Sequence, residues 1–219
     1  MKNLRTALIG SALALGTLFA VQGCIPVIVG GTGVAVAMAT DRRTSGTYVD
    51  DESIEWKASN RISEKLKDNV HANVTSFNRK VLLTGEAFNE TSRDEAGRIA
   101  AGVENVKEVV NELRIAPTSS LSARNNDAYI SSKIKTRFLD RTDFHVQHVK
   151  VVTEAQTVYL LGLVTRKEAD AATQIARTTQ GVNKVVRVFE LISDEDAARL
   201  DSATGGSNEN PVKSPNPRS

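Results

Sequence analysis

The residue with the most distinctive chemistry in this 219-residue chain is its single cysteine, Cys24. A lone thiol can form neither an internal disulfide nor a thiolate cluster for a metal, so its chemistry is that of one reactive sulfur atom. It lies in an apolar, glycine-rich stretch, FAVQGCIPVIVGGTG, at positions 19–33. Three structures fit such a stretch: a membrane-spanning helix, a strand that enters a phosphate-binding loop, and the processing site of a secreted lipoprotein.

The residues before Cys24 favour the lipoprotein interpretation. Lys2 and Arg5 precede an apolar run over residues 6–21, which is the layout of a bacterial secretory signal. The sequence VQGC at positions 21–24 resembles the lipobox, in which an aliphatic residue stands three positions before an obligatory cysteine and a small residue directly precedes it. The resemblance implies that residues 1–23 are a signal peptide and that Cys24 becomes the acylated first residue of the mature chain.

The residues after Cys24 weaken both alternatives. Pro26 and the glycines at positions 30, 31 and 33 interrupt the apolar run, and glycine is costly inside a helix. A phosphate loop would need a third glycine at the proper spacing or a Gly-Lys-Ser/Thr sequence, and neither is present. We expect residues 24–48 to form a lipidated, flexible tether. Ile25, where a different sorting class would carry aspartate, implies by resemblance the outer membrane, with the body in the periplasm.

The overall charge gives no reason to expect a nucleic-acid partner. The chain has 28 basic and 26 acidic residues. Lys2 and Arg5 precede Cys24, so the part from Cys24 onward has 26 of each. A protein that binds nucleic acid through its charge would show a clear basic excess.

Self-comparison shows that one unit occurs twice, at a separation of about 76 residues. VLLTG at 81–85 is echoed by VYLLG at 158–162, and VKEVV at 106–110 by VNKVV at 182–186. Apolar residues spaced by four also match, namely Ile54, Ala58 and Ile62 with Ile130, Ile134 and Phe138. Each copy predicts the order αββαβ, with Asp51 or Asp127 as the cap of its first helix. Apolar and polar residues alternate along the predicted strands, which predicts a sheet with one covered face.

The repeated unit, with a Val-x-Leu-x-Gly strand before a helix and a Gly/Asn-Val-x-x-Val strand after it, resembles the BON domain. The chain as a whole is similar to the dual-BON periplasmic lipoprotein family (the DolP/YraP type). The resemblance implies an α+β protein with two tandem BON domains, each αββαβ with a small mixed three-stranded sheet covered by two helices. We place the domains at residues 49–117 and 118–193 and expect a disordered tail over residues 194–219, which end in a stretch rich in Ser, Asn, Pro and Gly.

Two features of the units bear on their stability. The hairpin turns read Asn-Arg at 78–79 and Ala-Gln at 155–156, although Asn-Gly would form such a turn more easily. A unit of about 65 residues also has little core of its own. We therefore expect the two domains to pack on each other as one compact body.

The sequence offers no arrangement that would form an active site. The three histidines, His71, His145 and His148, are best interpreted as solvated loop residues. Carboxylates such as Glu86 and Glu90 have the positions of helix-start and surface charges. We expect a protein that is not an enzyme and that needs no metal or cofactor.

The first helix of the second unit carries the strongest indication of a binding surface. If Ile130, Ile134 and Phe138 are buried, helical spacing turns a different set of residues outward. This set is Tyr129, Ser132, Lys133, Thr136 and Leu139, with Lys135 and Arg137 at its flanks. Residues 124–141 hold five basic and two acidic side chains, whereas residues 51–68 of the first unit hold four and five. An exposed aromatic ring, a leucine and several cations on one helix suit the interface of an anionic membrane. Three structural roles explain the same residues: a hydrophobic staple formed by Tyr129, packing of Leu139 under the loop that follows, and a basic helix face that is simply solvated.

The family resemblance implies phospholipid binding, and it favours the membrane interpretation. The expected partners are anionic phospholipids, such as phosphatidylglycerol and cardiolipin, and the expected role is support of envelope integrity. The alternative is an adaptor for outer-membrane assembly or division proteins. Trp56 is the one large group on the outward face of the first unit's helix, and we expect it to contact the second domain or, failing that, a partner.

Overall fold

The computed structural model describes residues 41–141 and 145–205. The predictions for the signal peptide, for Cys24 and for residues up to 40 therefore concern positions outside the described residues. Among the residues that are described, no helix is both long enough and apolar enough to cross a membrane.

Each repeat contributes two helices, a hairpin and a closing strand. The elements of the first are α1 (Ser45–Leu66), β1 (Val70–Phe77), β2 (Lys80–Ala87), α2 (Glu90–Ala101), β3 (Glu108–Asn111) and β4 (Arg114–Ile115). Those of the second are α3 (Leu121–Leu139), β5 (Lys150–Glu154), β6 (Thr157–Leu161), β7 (Leu163–Val164), α4 (Arg166–Arg177), β8 (Lys184–Arg187) and β9 (Glu190–Leu191). A last helix, α5 (Asp194–Gly205), follows.

The sheets have the mixed topology that the family resemblance implies. In the first domain β1 is antiparallel to β2, and β3 and β4 are parallel to β2. In the second, β5 is antiparallel to β6, β8 is parallel to β6, and β9 is parallel to β7. The α+β class and the αββαβ order are confirmed.

The helices cover one face of each sheet through the residues spaced by four along α1 and α3. Ile54, Ala58 and Ile62 pack with Val81 and Leu83 in the first domain. The equivalent cluster in the second domain has Ile130, Ile134 and Phe138 on α3 and Val158 and Leu160 on β6. The spacing of apolar residues in the sequence therefore identifies the helix faces correctly.

The opposite face of each sheet is also covered, because the two sheets pack against each other. Phe77 and Leu82 from the first domain form one buried cluster with Tyr159, Leu161 and Val188 from the second. The prediction of a single covered face is wrong, since residues 81–87 are all buried. The prediction of one compact body is confirmed, because the described residues of both domains belong to one unit.

Polar residues on this second face are buried with the apolar ones. Glu86 lies on the same side of β2 as Leu82 and is only 2% exposed, so the prediction of a surface charge is wrong. Its Oε1 accepts a hydrogen bond of 3.2 Å from Arg114. Across the interface, Asn73 donates to Glu154 at 2.8 Å, and burial raises the pKa of that carboxyl. Strand alternation, not proximity to a helix, decides the position of Glu86.

The first helix of each domain begins earlier than its apolar pattern indicates. Thr44 caps α1 and Ser120 caps α3, each by accepting a hydrogen bond from a backbone N–H in the first turn. The prediction that Asp51 and Asp127 are the caps is wrong, because the first turns carry no buried apolar residue that would reveal them. Residues 45–48 belong to α1, so the prediction of a flexible tether is wrong for them.

Asp51 and Asp127 instead hold the hairpin turns. The carboxylate of Asp127 accepts the backbone N–H groups of Ala155 at 2.7 Å and Gln156 at 2.8 Å. Asp51 accepts those of residues 78–79 in the same way, at 2.8 and 2.7 Å. All four turn residues have a positive φ, between 47° and 66°, which glycine and asparagine adopt more readily. A buried carboxylate on the helix therefore compensates for the absent Asn-Gly.

A buried arginine fixes the segment before α1 to the second domain. Arg42 donates two hydrogen bonds to Glu168, at 2.7 and 3.0 Å, and two to Asp201, at 2.7 and 2.9 Å. It also donates to the carbonyl of Leu163 at 2.9 Å. We call this cluster the Arg42 latch. The flexible-tether prediction is thus wrong for Arg42 as well, because the side chain is held in place by distant partners.

The Arg42 latch includes a helix where a disordered tail was expected. Asp201 lies in α5, whose Ala197 is buried, so the prediction of disorder over 194–219 is wrong for residues 194–205. Composition alone could not show this, because the partners of the helix are far away in sequence.

The histidines differ from one another in exposure. His148 is only 3% exposed, with Nδ1 3.6 Å from Glu168 and Nε2 3.6 Å from Asp201. The prediction of a solvated loop residue is wrong for His148, because the last helix covers it. His145 is exposed, and His71 is half-buried in β1.

We expect Asp127→Ala to lower the free energy of unfolding by about 2 kcal/mol, because two buried N–H groups lose a charged acceptor. Adding Ala155→Asn and Gln156→Gly should restore part of the loss, since Asn-Gly adopts this turn without strain. Urea unfolding measures both effects. Asp140→Ala, at the exposed end of the same helix, is the control and should change stability by less than about 0.5 kcal/mol. No recovery in the triple variant would contradict the role given to Asp127.

The Arg42 latch should make stability depend on pH. Burial opposes the charge of Glu168, but His148 and Arg42 outweigh it and hold its pKa below the usual range. The hydrogen bond from Arg42 also lowers the pKa of Asp201. Carboxyls with a lowered pKa in the folded state contribute stability above their unfolded pKa, near 4, and lose it as the pH falls.

We therefore expect Arg42→Met to cost about 3 kcal/mol at neutral pH, because it leaves a buried carboxylate without its partner. The difference in the free energy of unfolding between Arg42→Met and the unmodified protein should shrink as the pH falls below about 4. Unfolding curves at pH 7, 5 and 3 measure it. Arg199→Met removes an exposed pair within α5 and should cost less than about 1 kcal/mol at any pH. A difference for Arg42→Met that stays constant with pH would rule out this electrostatic account.

Candidate functional site

The outward face of α3 presents the residues that helical spacing predicts. Tyr129 is 64% exposed and Leu139 is 68% exposed. Ser132, Lys135 and Thr136 are exposed, and Lys133 and Arg137 are half-buried. None of the seven belongs to the buried stripe, which consists of Asp127, Ile130, Ile134 and Phe138.

A groove of about 450 Å³ lies between α3 and the C-terminal end of α4. It is lined by five of the predicted residues and by the three that follow α4: Tyr129, Ser132, Lys133, Thr136, Arg137, Thr178, Thr179 and Gln180. Lys135 and Leu139 do not line it. The structure therefore brings five of the seven predicted residues together at the groove, while Lys135 and Leu139 lie elsewhere on α3. We call the seven residues and this groove the α3 surface.

Lys133 is held in place where it lines the groove. Its Nζ lies 4.7 Å from the centre of the Tyr129 ring and donates a hydrogen bond of 2.5 Å to the carbonyl of Gln180. A cation above an aromatic face is attracted to the ring, so the two side chains support each other's position.

Arg137 has a structural role in addition to its charge. It donates to the carbonyl of Ile175 at 2.8 Å and to the hydroxyls of Thr179 at 2.7 Å and Thr178 at 3.0 Å. The last carbonyls of a helix have no partner within the helix, and a cation there is favourable. Replacing Arg137 would therefore disturb the joint between α3 and α4, and it is a poor choice for testing a binding surface.

Comparison of α3 with α1 shows which features of this surface both domains share and which only the second domain has. Lys57 and Arg61 occupy the positions of Lys133 and Arg137, and Arg61 likewise donates to a carbonyl beyond α2, that of Gly102. Lys57, however, lies 3.6 Å from Glu104, whereas the corresponding residue of the second domain is Gln180. Within the described part of the chain, Lys133, Lys135 and Arg137 form no ion pair with a carboxylate.

Three of the other differences replace serines by larger residues, whereas Trp56 of α1 corresponds to the smaller Ser132 of α3. Ser53, Ser59 and Ser63 of α1 correspond to Tyr129, Lys135 and Leu139 of α3. Two apolar groups and one cation thus distinguish the second domain at equivalent positions. Because Gln180 stands where the first domain has Glu104, the charge of Lys133 is also not balanced as that of Lys57 is. The asymmetry resides in a few residues.

Trp56 does not lie between the domains. It is 69% exposed on α1, so the prediction of contact with the second domain is wrong. Val49, seven positions earlier and therefore on the same side of the helix, is also exposed. A contact with another protein through Trp56 stays a prediction.

Sequence reasoning missed some residues of the α3 surface and of its helix. Leu121, the first residue of α3, is 72% exposed and precedes Leu139 by five helical turns, so the two share one face about 27 Å apart. The same spacing would have identified Leu121 if the start of the helix had been known. Residues 178–180 follow α4, and only the packing of α4 against α3 brings them to the groove.

The comparisons with known proteins agree with this architecture. The BON domain family matches residues 50–117 and 126–192. The chain is 38% identical over 183 residues to "Outer membrane lipoprotein DolP" of Haemophilus influenzae, an alignment that covers 83% of this chain and 95% of the relative. It is 36% identical over 154 residues to a "21 kDa hemolysin" of Actinobacillus pleuropneumoniae, covering 69% and 79%. It is 27% identical over 192 residues to "Osmotically-inducible protein Y" of Escherichia coli, covering 84% and 92%.

The chain therefore belongs to the BON domain family, of which it carries two copies. More narrowly, it belongs to the dual-BON lipoproteins of the DolP type. Among solved structures, that of CdsD, a type III secretion protein of Chlamydia trachomatis, covers 72% of this chain and 99% of its own. Its sequence identity is 14% and its TM-score is 0.25, too low to bear on fold or function.

Proposed function

We propose that this protein is a non-enzymatic lipoprotein of the outer membrane that binds anionic phospholipids through the α3 surface and so supports the integrity of the envelope. The observation that carries the proposal is the exposure of Tyr129 and Leu139 beside cations that have no carboxylate partner among the described residues. In the first domain, serines stand at the positions of Tyr129, Lys135 and Leu139, and the counterpart of Lys133 lies 3.6 Å from Glu104. This difference favours a surface that only the second domain uses.

The location follows from the sequence and from the named relative. The lipobox-like sequence before Cys24 supports acylation, and anchors with more than one acyl chain hold stably to a membrane. The relative from Haemophilus influenzae is named an outer membrane lipoprotein, and Ile25 supports the same destination. The two BON domains then lie in the periplasm, within reach of the inner leaflet of that membrane.

The α3 surface suits a phospholipid headgroup in three ways. Tyr129 and Leu139 can enter the boundary between headgroups and acyl chains, where aromatic residues are favoured. Lys133 and Lys135 meet phosphate oxygens, and each cation near an anionic surface contributes about 1 kcal/mol. The phenol hydroxyl of Tyr129, which lines the groove, can donate a hydrogen bond to a phosphate. Phosphatidylglycerol and cardiolipin are the partners that we expect.

The test uses the soluble chain without residues 1–24 and vesicles of phosphatidylcholine with or without phosphatidylglycerol or cardiolipin. The unmodified protein should bind the anionic vesicles more tightly than the neutral ones. Gln180→Glu supplies to Lys133 the partner that Glu104 gives Lys57, and it should weaken binding about fivefold, the equivalent of 1 kcal/mol. Lys135→Ser should have a similar effect, and Tyr129→Ser with Leu139→Ser should weaken binding by about tenfold or more.

Each of these variants takes its residue type from the first domain, so the fold should tolerate it, and urea unfolding checks this. Lys65→Glu, on the exposed side of α1, changes the net charge equally or more and is the control. Equal affinity for neutral and anionic vesicles, or binding that the three changes leave unaltered, would refute the proposal.

A second candidate function is that of an adaptor for proteins of outer-membrane assembly or division. The exposure of Trp56 and Val49 on one side of α1 favours it, since aromatic residues are enriched where proteins meet. A photo-crosslinking group at position 56 that captures one defined envelope protein, in a chain without vesicle affinity, would favour the adaptor over the lipid-binding protein.

A further inference from the structure

A second groove of the second domain lies on the other side of α4, beside the edge of the sheet. It has a volume of about 810 Å³. Its lining comes from α4 and from β8 with the turn before it: Asp170, Thr173, Gln174, Arg177, Val182, Asn183, Lys184, Val185 and Arg187. We call it the β8 groove. It shares no lining residue with the groove at α3.

The strand that borders the β8 groove has a free edge. Among the described residues β8 pairs with β6 alone. Val188 donates its backbone N–H to the carbonyl of Leu160 at 2.8 Å, and in a parallel ladder alternate residues point the same way. The N–H and C=O groups of Val185 and Arg187 therefore point away from β6. An unpaired edge of this kind is a template for a further strand.

The β8 groove carries an excess of positive charge. Arg187 is paired with Asp170 at 2.7 Å. Arg177 and Lys184 are exposed, and in the described part of the chain neither has a carboxylate partner. An occupant with acidic side chains would complement these two cations.

The equivalent position in the first domain is closed and has no such excess. There Asn111 replaces Arg187 and donates from Nδ2 to the carbonyl of Arg93 at 2.8 Å, which ties β3 to α2. A Cβ atom on Gly97, the counterpart of Thr173, would lie 2.9 Å from that Nδ2, so strand and helix are in close contact. Ala101 and Glu108 stand where the second domain has Arg177 and Lys184.

We propose that the β8 groove binds an extended, acidic polypeptide segment of a partner protein, which adds to β8 as an edge strand. The free N–H and C=O groups of β8 supply main-chain hydrogen bonds, and the groove between strand and helix receives alternate side chains of the segment. Arg177 and Lys184 select carboxylates among them. This binding does not depend on the lipid-binding function proposed above.

The chain's own C-terminal residues do not have the chemistry of this occupant. Residues 206–219 contain Lys213 and Arg218 against Glu209, and three prolines. A proline cannot donate to a strand ladder, and the net charge has the wrong sign for the β8 groove. The acidic segment is therefore expected on another protein.

The experiment uses the soluble chain without residues 1–24, which retains every described residue, and a labelled nine-residue peptide of alternating Glu and Val. We expect saturable binding that perturbs the backbone amide NMR signals of Val185 and Arg187. Arg177→Glu with Lys184→Glu should weaken it at least tenfold, while Lys65→Glu, on α1, should leave it unchanged. An alternating Lys and Val peptide should not bind, and N-methylation of alternate peptide residues should abolish binding.

Absence of saturable binding by the Glu and Val peptide would overturn the proposal. So would unchanged affinity in the double variant, or equal affinity of the N-methylated peptide, since either result removes the charge or the strand pairing from the interaction. If the double variant lost affinity for phosphatidylglycerol vesicles and kept it for the peptide, the β8 groove would be a second lipid contact. If the double variant proves unstable, the unmodified protein still tests the proposal, because the peptide must perturb the amide signals of Val185 and Arg187.

Discussion

The packing of the two sheets against each other is the interaction on which the rest of this structure depends. Each BON domain has a sheet of three or four short strands, and a unit of this size buries too little surface on one face alone. Leu82 and Tyr159 belong to the cluster that buries the second face of both sheets at once. Because these faces are occupied, the surfaces left for binding are the outer sides of the helices and the sheet edges.

This arrangement also explains why duplicated domains can take different roles. Both copies must retain the residues that face the helices and the shared core, so change is tolerated mainly outside them. The differences that we describe follow this division: they lie on the outward side of α3 and along β8. A few substitutions, such as Ser63 against Leu139 or Asn111 against Arg187, create a surface in one copy that the other lacks.

Much of the fold could be predicted from the sequence because it rests on local periodicity. The four-residue spacing of Ile130, Ile134 and Phe138 identifies a helix face, and by elimination it identifies the outward position of Tyr129. What the sequence could not show depends on distant partners. Glu86 and His148 have no neighbours in sequence that reveal their burial, and Asp127 resembles a helix cap until the hairpin that it holds is seen. For the α3 surface, the helix was predictable and the groove was not, since Gln180 reaches it only through the packing of α4.

The Arg42 latch has a mechanical consequence for a protein held by its lipid. Force applied through the anchor enters the body at the second domain, because Arg42 grips Glu168 before the chain reaches α1. The sixteen residues between Cys24 and Asp41 allow a tether of at most about 60 Å. If the α3 surface binds lipid as proposed, so short a tether raises the effective concentration of lipid at that surface, and a modest intrinsic affinity is then enough for binding.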